Sequence, residues 1–245
     1  MERNYREEVS AYLRDKYGEE FDITQLSSDA DYPVVPNRAY AKPADSEYDF
    51  FAVRFDPYKQ DGGLEFQDGY GFIFAERAIL PTYKKLADEI SPDLKLTLRT
   101  GNELEVTRES HEKGVSFDEF LDKEKPLSIR VNILTSDGYI DNRENFFEKI
   151  SQMIAEVPPY EVYYKFQVIF VKEDLFDLYD AERYKSYNLL QFEMQTQEIT
   201  ACTYVEFSGM IAKTDILASL NDHYFSDIQL FERENLVPEG DELDG

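Results

Sequence analysis

Between Leu127 and Val171 the apolar residues change their period twice, and no other stretch constrains the fold as much. Leu127, Ile129, Val131 and Ile133 alternate with other residues, which predicts a strand. Ser136-Asp137-Gly138 turns the chain, and Asp141-Asn142-Arg143-Glu144 has the form of a helix start. Phe147, Ile150, Ile154 and Val157 then recur at helical spacing until Pro158-Pro159 stops them. Val162, Tyr164, Phe166, Val168 and Phe170 alternate again over a long second strand. Strand, helix and strand in this order predict a β–α–β crossover.

The first half is read in the same way. Tyr5, Val9, Leu13 and Tyr17, widened by Tyr12, predict an amphipathic helix over Arg3 to Tyr17, ended by Gly18. Arg38 to Lys42 reads as a short edge strand closed by Pro43, and Tyr48 to Phe55 as a strand covered on both faces. Leu64 to Tyr70 is its expected partner. Phe72 to Ile90 is helical, with Pro81 predicting a kink or two pieces. Leu94, Leu96 and Leu98, then Leu104 and Val106 beyond Thr100-Gly101-Asn102, predict a hairpin with one wet face. Ser116 and Glu119 have capping-box spacing for a short helix. After the crossover come a Tyr-rich helix (Glu173 to Tyr187), strands over Leu190–Gln197 and Ile199–Phe207, a helix capped by Thr214, and a last strand from Tyr224 to Phe231.

The fold class is therefore α+β, mainly antiparallel sheet with flanking helices and one βαβ crossover in the second half. The expected division is an N-terminal α+β module over 1–110, a polar connector over 111–126, a C-terminal α+β module over 127–237 and an acidic tail over 238–245.

Charge narrows the function. Fifty-one Asp and Glu against twenty-six Lys and Arg give −25, which argues against nucleic acid, since neutralising phosphates needs a basic face. A hydrophobic content of 42 % argues against a disordered acidic chain. No apolar run is long enough to cross a membrane. The N-terminal residues lack signal-peptide form, so the sequence as it stands reads as cytoplasmic, or as extracytoplasmic if a leader or anchor has been removed.

Candidate chemistry is sparse. One Cys and two His leave no thiolate zinc site and no His-rich metal site. The loop from Asp137 to Glu144 lacks calcium-loop spacing and carries Arg143. Asp29 with Asp31, and Asp56 with Asp61, read as solvated loop acids. Cys202 in a strand reads as a buried, inert thiol, and neither His111 nor His223 is tied to it by spacing. Gly62, Gly63, Gly69 and Gly71 match no phosphate-binding loop. No catalytic, cofactor or metal residues are assigned. The oddity is aromatic: Tyr160, Tyr163, Tyr179, Tyr184 and Tyr187 crowd one strand and the next helix, a composition that suits protein contact.

The run Tyr12-Leu13-Arg14-Asp15-Lys16-Tyr17-Gly18-Glu19-Glu20-Phe21, followed by Asp68-Gly69-Tyr70, resembles a pattern in proteins of uncharacterised function from Gram-positive bacteria. The resemblance covers roughly residues 5–90. It implies a helix followed by strands and an Asp-x-Tyr near a second helix, often in exported or lipid-anchored proteins, and it implies no active site. The expected function is a non-enzymatic binding or accessory role through contact with another protein, for which the acidic balance makes a basic one the candidate. The alternative is a carboxylate-dependent hydrolase with its acids in a cleft.

Overall fold

The structure is a computed structural model. It describes residues 4–28, 36–47, 49–56, 64–102, 105–109, 111, 115–124, 128–157, 160, 162–178, 199–209 and 211–226. The fold is α+β with helices flanking two four-stranded sheets. The chain divides into two compact units. One holds Met1–Pro81 with Arg99–Ile129, the other Thr82–Leu98 with Arg130–Gly245. Among the described residues no helix is long and apolar enough to cross a membrane.

The first unit opens with α1 (Tyr5–Tyr17). The Asn4 side chain accepts from the Glu7 N–H, and Gly18, at φ 69°, returns its own N–H to the Arg14 carbonyl. This is the left-handed cap that glycine adopts without steric cost. Val9, Leu13 and Tyr17 are the buried stripe. The sheet is antiparallel, in the order β1 (Phe21–Ser27), β2 (Arg38–Pro43), β3 (Phe51–Phe55), β4 (Phe66–Asp68). β2 is thus interior rather than an edge strand. Pro43 is tolerated because it sits at the strand end, opposite Phe21. β3 is covered on both faces, with Phe51, Ala52, Val53 and Phe55 all buried. The core of this unit joins the α1 stripe to Phe21, Phe51, Phe55, Tyr70, Ile73 and Phe74.

α2 (Tyr70–Ile90) runs unbroken through Pro81. Pro81 is exposed, so its ring lies on the solvent side of the helix. The chain passes from the first unit to the second at this residue.

β5 (Lys95–Gly101) does not fold back as a hairpin. Its neighbour is β6 (Ser128–Ser136), in a mixed sheet ordered β5, β6, β7 (Tyr163–Val171), β8 (Ile199–Ser208). Beyond Gly101 the chain bends instead. Asn102 Nδ2 donates to the Val106 carbonyl, and Glu105 takes a φ of 59°. Thr107 then bonds the Asp68 carbonyl with both its N–H (2.9 Å) and its hydroxyl (2.8 Å). The face of β5 that carries Lys95 and Arg99 is only partly wet, since Thr97 between them is buried. Leu104 lies outside the described residues.

α3 (Phe117–Lys123) carries the full capping box of Ser116 and Glu119. A 3₁₀ turn over Asp137–Asn142 leads into α4 (Arg143–Glu156), whose N-cap Asn142 makes no side-chain cap bond. β6, α4 and β7 form the crossover, with β6 and β7 adjacent in the sheet. α5 (Glu173–Phe176) is short and ends in a turn at Asp177 and Leu178, and residues 179–187 of the expected Tyr-rich helix lie outside the described residues, as does the strand expected over Leu190–Gln197. α6 (Lys213–Asp222) starts after Ala212 with no side-chain cap, so Thr214 is inside it and not at its cap. Of the last expected strand, Phe225 makes one bridge to Cys202, and residues 227–231 lie outside the described residues.

Candidate functional site

The residues of the sequence motif converge on one buried carboxylate. Asp68 ends β4 and is almost wholly buried. Its Oδ2 accepts from the Tyr12 hydroxyl (2.6 Å) and the Lys16 ammonium (2.7 Å). Its Oδ1 accepts from the Tyr17 hydroxyl (2.7 Å) and the Tyr70 N–H (3.0 Å). Tyr12 and Lys16 are one helical turn apart, so both reach the same oxygen from α1. The Lys16 ammonium also lies 4.9 Å from the centre of the Tyr17 ring. Burial, then the Asp68 charge and its hydrogen bond, drive the Tyr12 and Tyr17 hydroxyls well above the ordinary tyrosine range. They are donors here, not bases. Tyr70 extends the motif by donating from its hydroxyl to Glu19 at 2.9 Å. Burial and this bond push its pKa up as well.

Gly69 is required at this corner because a Cβ there would stand 2.5 Å from the Glu105 carbonyl. The positive φ of Glu105 and the absence of a side chain at Gly69 are two halves of one close approach.

Two other buried acids belong to the first unit. Glu124 follows α3 and accepts from the Arg108 N–H (2.8 Å), the Glu109 N–H (3.0 Å) and the His111 ring (2.7 Å). Burial pushes its carboxyl up, but the bonds from His111 and the two amides outweigh this and hold it below the usual range. His111 is itself fully buried against Phe120. Glu76 on α2 accepts from the Thr100 N–H at 2.9 Å, with the Arg99 guanidinium 3.8 Å away. Neither was singled out in the sequence as an acid of interest. Nothing in the spacing of Glu124 and His111 marks them as partners, because the loop between Thr107 and α3 brings them together.

An open cleft of about 610 Å³ between α1 and β1 holds two exposed acids, Glu7 and Asp22, beside two exposed arginines, Arg6 and Arg14. Arg6 donates to the Ile23 carbonyl.

In the second unit Tyr163 is exposed at 43 % and its hydroxyl donates to Glu206 on the neighbouring strand. Lys165 pairs with Glu206 at 2.6 Å and lies 5.3 Å from the centre of the Tyr204 ring. His223 stacks on Tyr204 at 4.4 Å. Burial raises the Glu206 carboxyl, but the bonds from Lys165 and Tyr163 prevail and its pKa falls. Tyr160 is half-buried, and its N–H donates to the Tyr164 hydroxyl at 3.0 Å. Tyr179, Tyr184 and Tyr187 lie outside the described residues, so of the five expected contact tyrosines the structure places Tyr163 and Tyr160. Cys202 is buried opposite Ile169. Asp137 accepts from the Glu173 N–H at 2.9 Å, which gives that loop acid a local structural partner. Asp29, Asp31 and Asp61 lie outside the described residues; among those described, no three His, Cys, Asp or Glu side chains cluster as metal ligands.

No protein-family model matches the chain, and no curated protein does. Among solved structures it is similar to the crystal structure of a DUF5037 family protein from Ruminococcus gnavus ATCC 29149, with a TM-score of 0.50 and 14 % identity over 89 % of this chain and 99 % of that one. At this identity the likeness is one of fold.

Proposed function

We propose that the chain is a non-enzymatic binding or accessory protein acting through protein–protein contact, and that the outward end of the β7–β8 pair makes the contact. The observation that carries this reading is the fate of the buried acids. Asp68, Glu76 and Glu124 each accept hydrogen bonds from internal donors, so they act as struts. A hydrolase working through two carboxylates needs one of them raised to act as an acid. The carboxyls of Glu119, Glu124 and Glu206 are shifted down, toward the ionised form, and not up toward that of an acid catalyst.

Tyr163, Lys165, Tyr204 and Glu206 offer the opposite character: a half-exposed, rigid, amphipathic surface on regular strands. Tyr presents large contact area at low entropic cost and is enriched at interfaces. With −25 on the whole chain, a basic partner surface is the complementary one. We also propose that the chain is related to the Gram-positive proteins that its first helix resembles; the reading is supported by the motif residues Tyr12, Lys16, Tyr17 and Asp68, which in this chain bond to one another and hold α1.

The test is affinity enrichment from a bacterial lysate with the wild-type chain and with a Tyr163→Ser, Tyr204→Ser double variant, alongside turnover of chromogenic ester, phosphate and glycoside substrates. A protein retained by the wild type and lost from the folded variant supports the reading. Saturable hydrolysis that disappears with one acid substitution overturns it.

A further inference from the structure

In the first sheet, β2 and β3 set two arginines face to face. Arg38 is directly opposite Arg54 in the register, and Arg54 is opposite Gln67 on β4. Ser27 on β1 meets Arg38 from its other side. The four side chains form one row across the sheet, about 5 Å apart by strand pairing. They lie on the face turned away from the core of this unit, since the alternate residues Ala39, Val53 and Phe55 belong to that core. Gln67 is exposed, and Ser27, Arg38 and Arg54 are partly exposed, so solvent reaches the row.

Like charges directly opposite one another on a sheet destabilise it. In a chain with fifty-one acids such a pair is easily neutralised, and here it is only half so. Arg38 Nη1 donates to the Tyr40 hydroxyl (3.2 Å) and lies 3.3 Å from the Glu105 carboxylate. Arg54 makes no hydrogen bond or ion pair among the described residues, and its Nε is buried without an acceptor. Asp56 and Glu65, next along this face by alternation, are exposed and do not pair with it. Glu105 shows what the row accepts. It is held at φ 59°, a costly conformation for a residue with a side chain, and brings a carboxylate onto Arg38. The equivalent place on Arg54 is open.

We propose that Arg54 and Gln67, with the charge of Arg38 alongside, bind the carboxylate of a small organic acid. A guanidinium presents paired N–H donors that match the two oxygens of a carboxylate, and the Gln67 amide adds a further donor next to it. Charge selects the class of anion. Glu105 balances Arg38, so one positive charge is left over in the row, that of Arg54. A carboxylate balances it one to one. A phosphate ester, at about −1.5 to −2, carries an excess that Glu105 and the −25 of the chain repel. All of these residues belong to the first unit, so the site is independent of the protein contact proposed on β7 and β8 of the second.

The competing reading is an arginine that is merely solvated or that braces the sheet. The test labels the full chain with 15N at arginine Nε and titrates it with acetate, benzoate and phenyl phosphate at constant sodium chloride. The Arg54 Nε–H signal is assigned by its loss in Arg54→Gln, and binding to the variants is read by thermal shift. The expected result is a saturable shift of the Arg54 signal with acetate or benzoate, and a rise in Tm that Arg54→Gln abolishes. Glu105→Gln, which leaves two positive charges in the row, should bind the carboxylate about threefold tighter or more. Without any probe, Arg54→Gln should melt no lower than the wild type, because it removes one of two like charges and breaks no bond. A signal that does not saturate shows a solvated arginine and overturns the site. A variant that melts several degrees lower shows a brace and overturns it too. Phenyl phosphate bound more tightly than benzoate overturns the choice of a carboxylate.

Discussion

Asp68 shows how one side chain ties distant sequence together. Its two oxygens accept four hydrogen bonds, three from α1 side chains more than fifty positions away. Replacing Asp68 by Asn keeps the shape but turns one acceptor into a donor facing the Tyr12 and Lys16 donors. The expected cost is about 3–5 kcal/mol, typical of breaking a buried charge pair by removing one partner. Lys16→Met should cost less, since the carboxylate keeps three neutral donors. Denaturant melts of both variants check this; a loss near the ~0–1 kcal/mol of a surface pair for Asp68→Asn would show that the cluster does not hold α1 in place. Glu124 makes a pH-dependent prediction. Its pKa is lowered in the folded chain, so its contribution is present above the unfolded value of about 4.3 and lost as pH falls through the lower folded value. Glu124→Gln should lower the Tm at neutral pH and flatten its decline below about pH 4. An acid limb as steep as that of the wild type would assign that decline to other groups.

At the scale of elements, Gly69→Ala should destabilise by about 1–3 kcal/mol, as overpacking does, because its Cβ would meet a backbone carbonyl that is itself fixed by Glu105. Gly71→Ala should be milder. Its nearest neighbours are side-chain atoms of Thr107, Phe120 and His111 at 3.0–3.2 Å, which can shift. Thermal melts rank the two, and the reverse order would mean that the loop carrying Glu105 yields readily. Phe166 lies wholly buried in β7, which has strand neighbours on both sides, with Tyr83, Tyr164 and Phe207 ring-stacked around it. Phe166→Ala should cost about 3–5 kcal/mol, and half-buried Ile23→Ala on the outer strand β1 should cost less. Equal losses in denaturant melts would remove β7 from the centre of the fold.

The same elements show what could be read beforehand. α1, the Ser116 capping box and the β6–α4–β7 crossover were legible because each is written in local period and cap chemistry. The hairpin after β5 was misread because alternation reports which faces are apolar and not which strand lies alongside. Asn102 and Glu105 send the chain to the Asp68 carbonyl instead of back along β5. The motif residues Tyr12, Lys16, Tyr17 and Asp68 were visible as letters. Their meeting was not, since it depends on how β4 delivers Asp68 to α1.

For the molecule as a whole the dominant quantity is charge. With fifty-one acids and twenty-six bases, at least twenty-five acids have no cation to pair with one to one. The cations are also partly committed. Lys16 is held by buried Asp68, Arg99 stands near buried Glu76, Arg77 pairs with Asp49 and Lys165 with Glu206. Salt weakens these favourable pairs, but the buried ones are screened least. It also weakens the repulsion among the unmatched surface acids, which are screened most. Repulsion therefore loses more than attraction does, and the Tm should rise as ionic strength goes from low to physiological. The rise should continue only slowly above that, once the screening length falls to about 8 Å. Sodium chloride titrations followed by circular dichroism measure the slope. A chloride-independent Tm, or one that falls, would mean that the acids are spaced widely enough over the surface to be solvated at little cost, leaving the ion pairs as the larger electrostatic contribution.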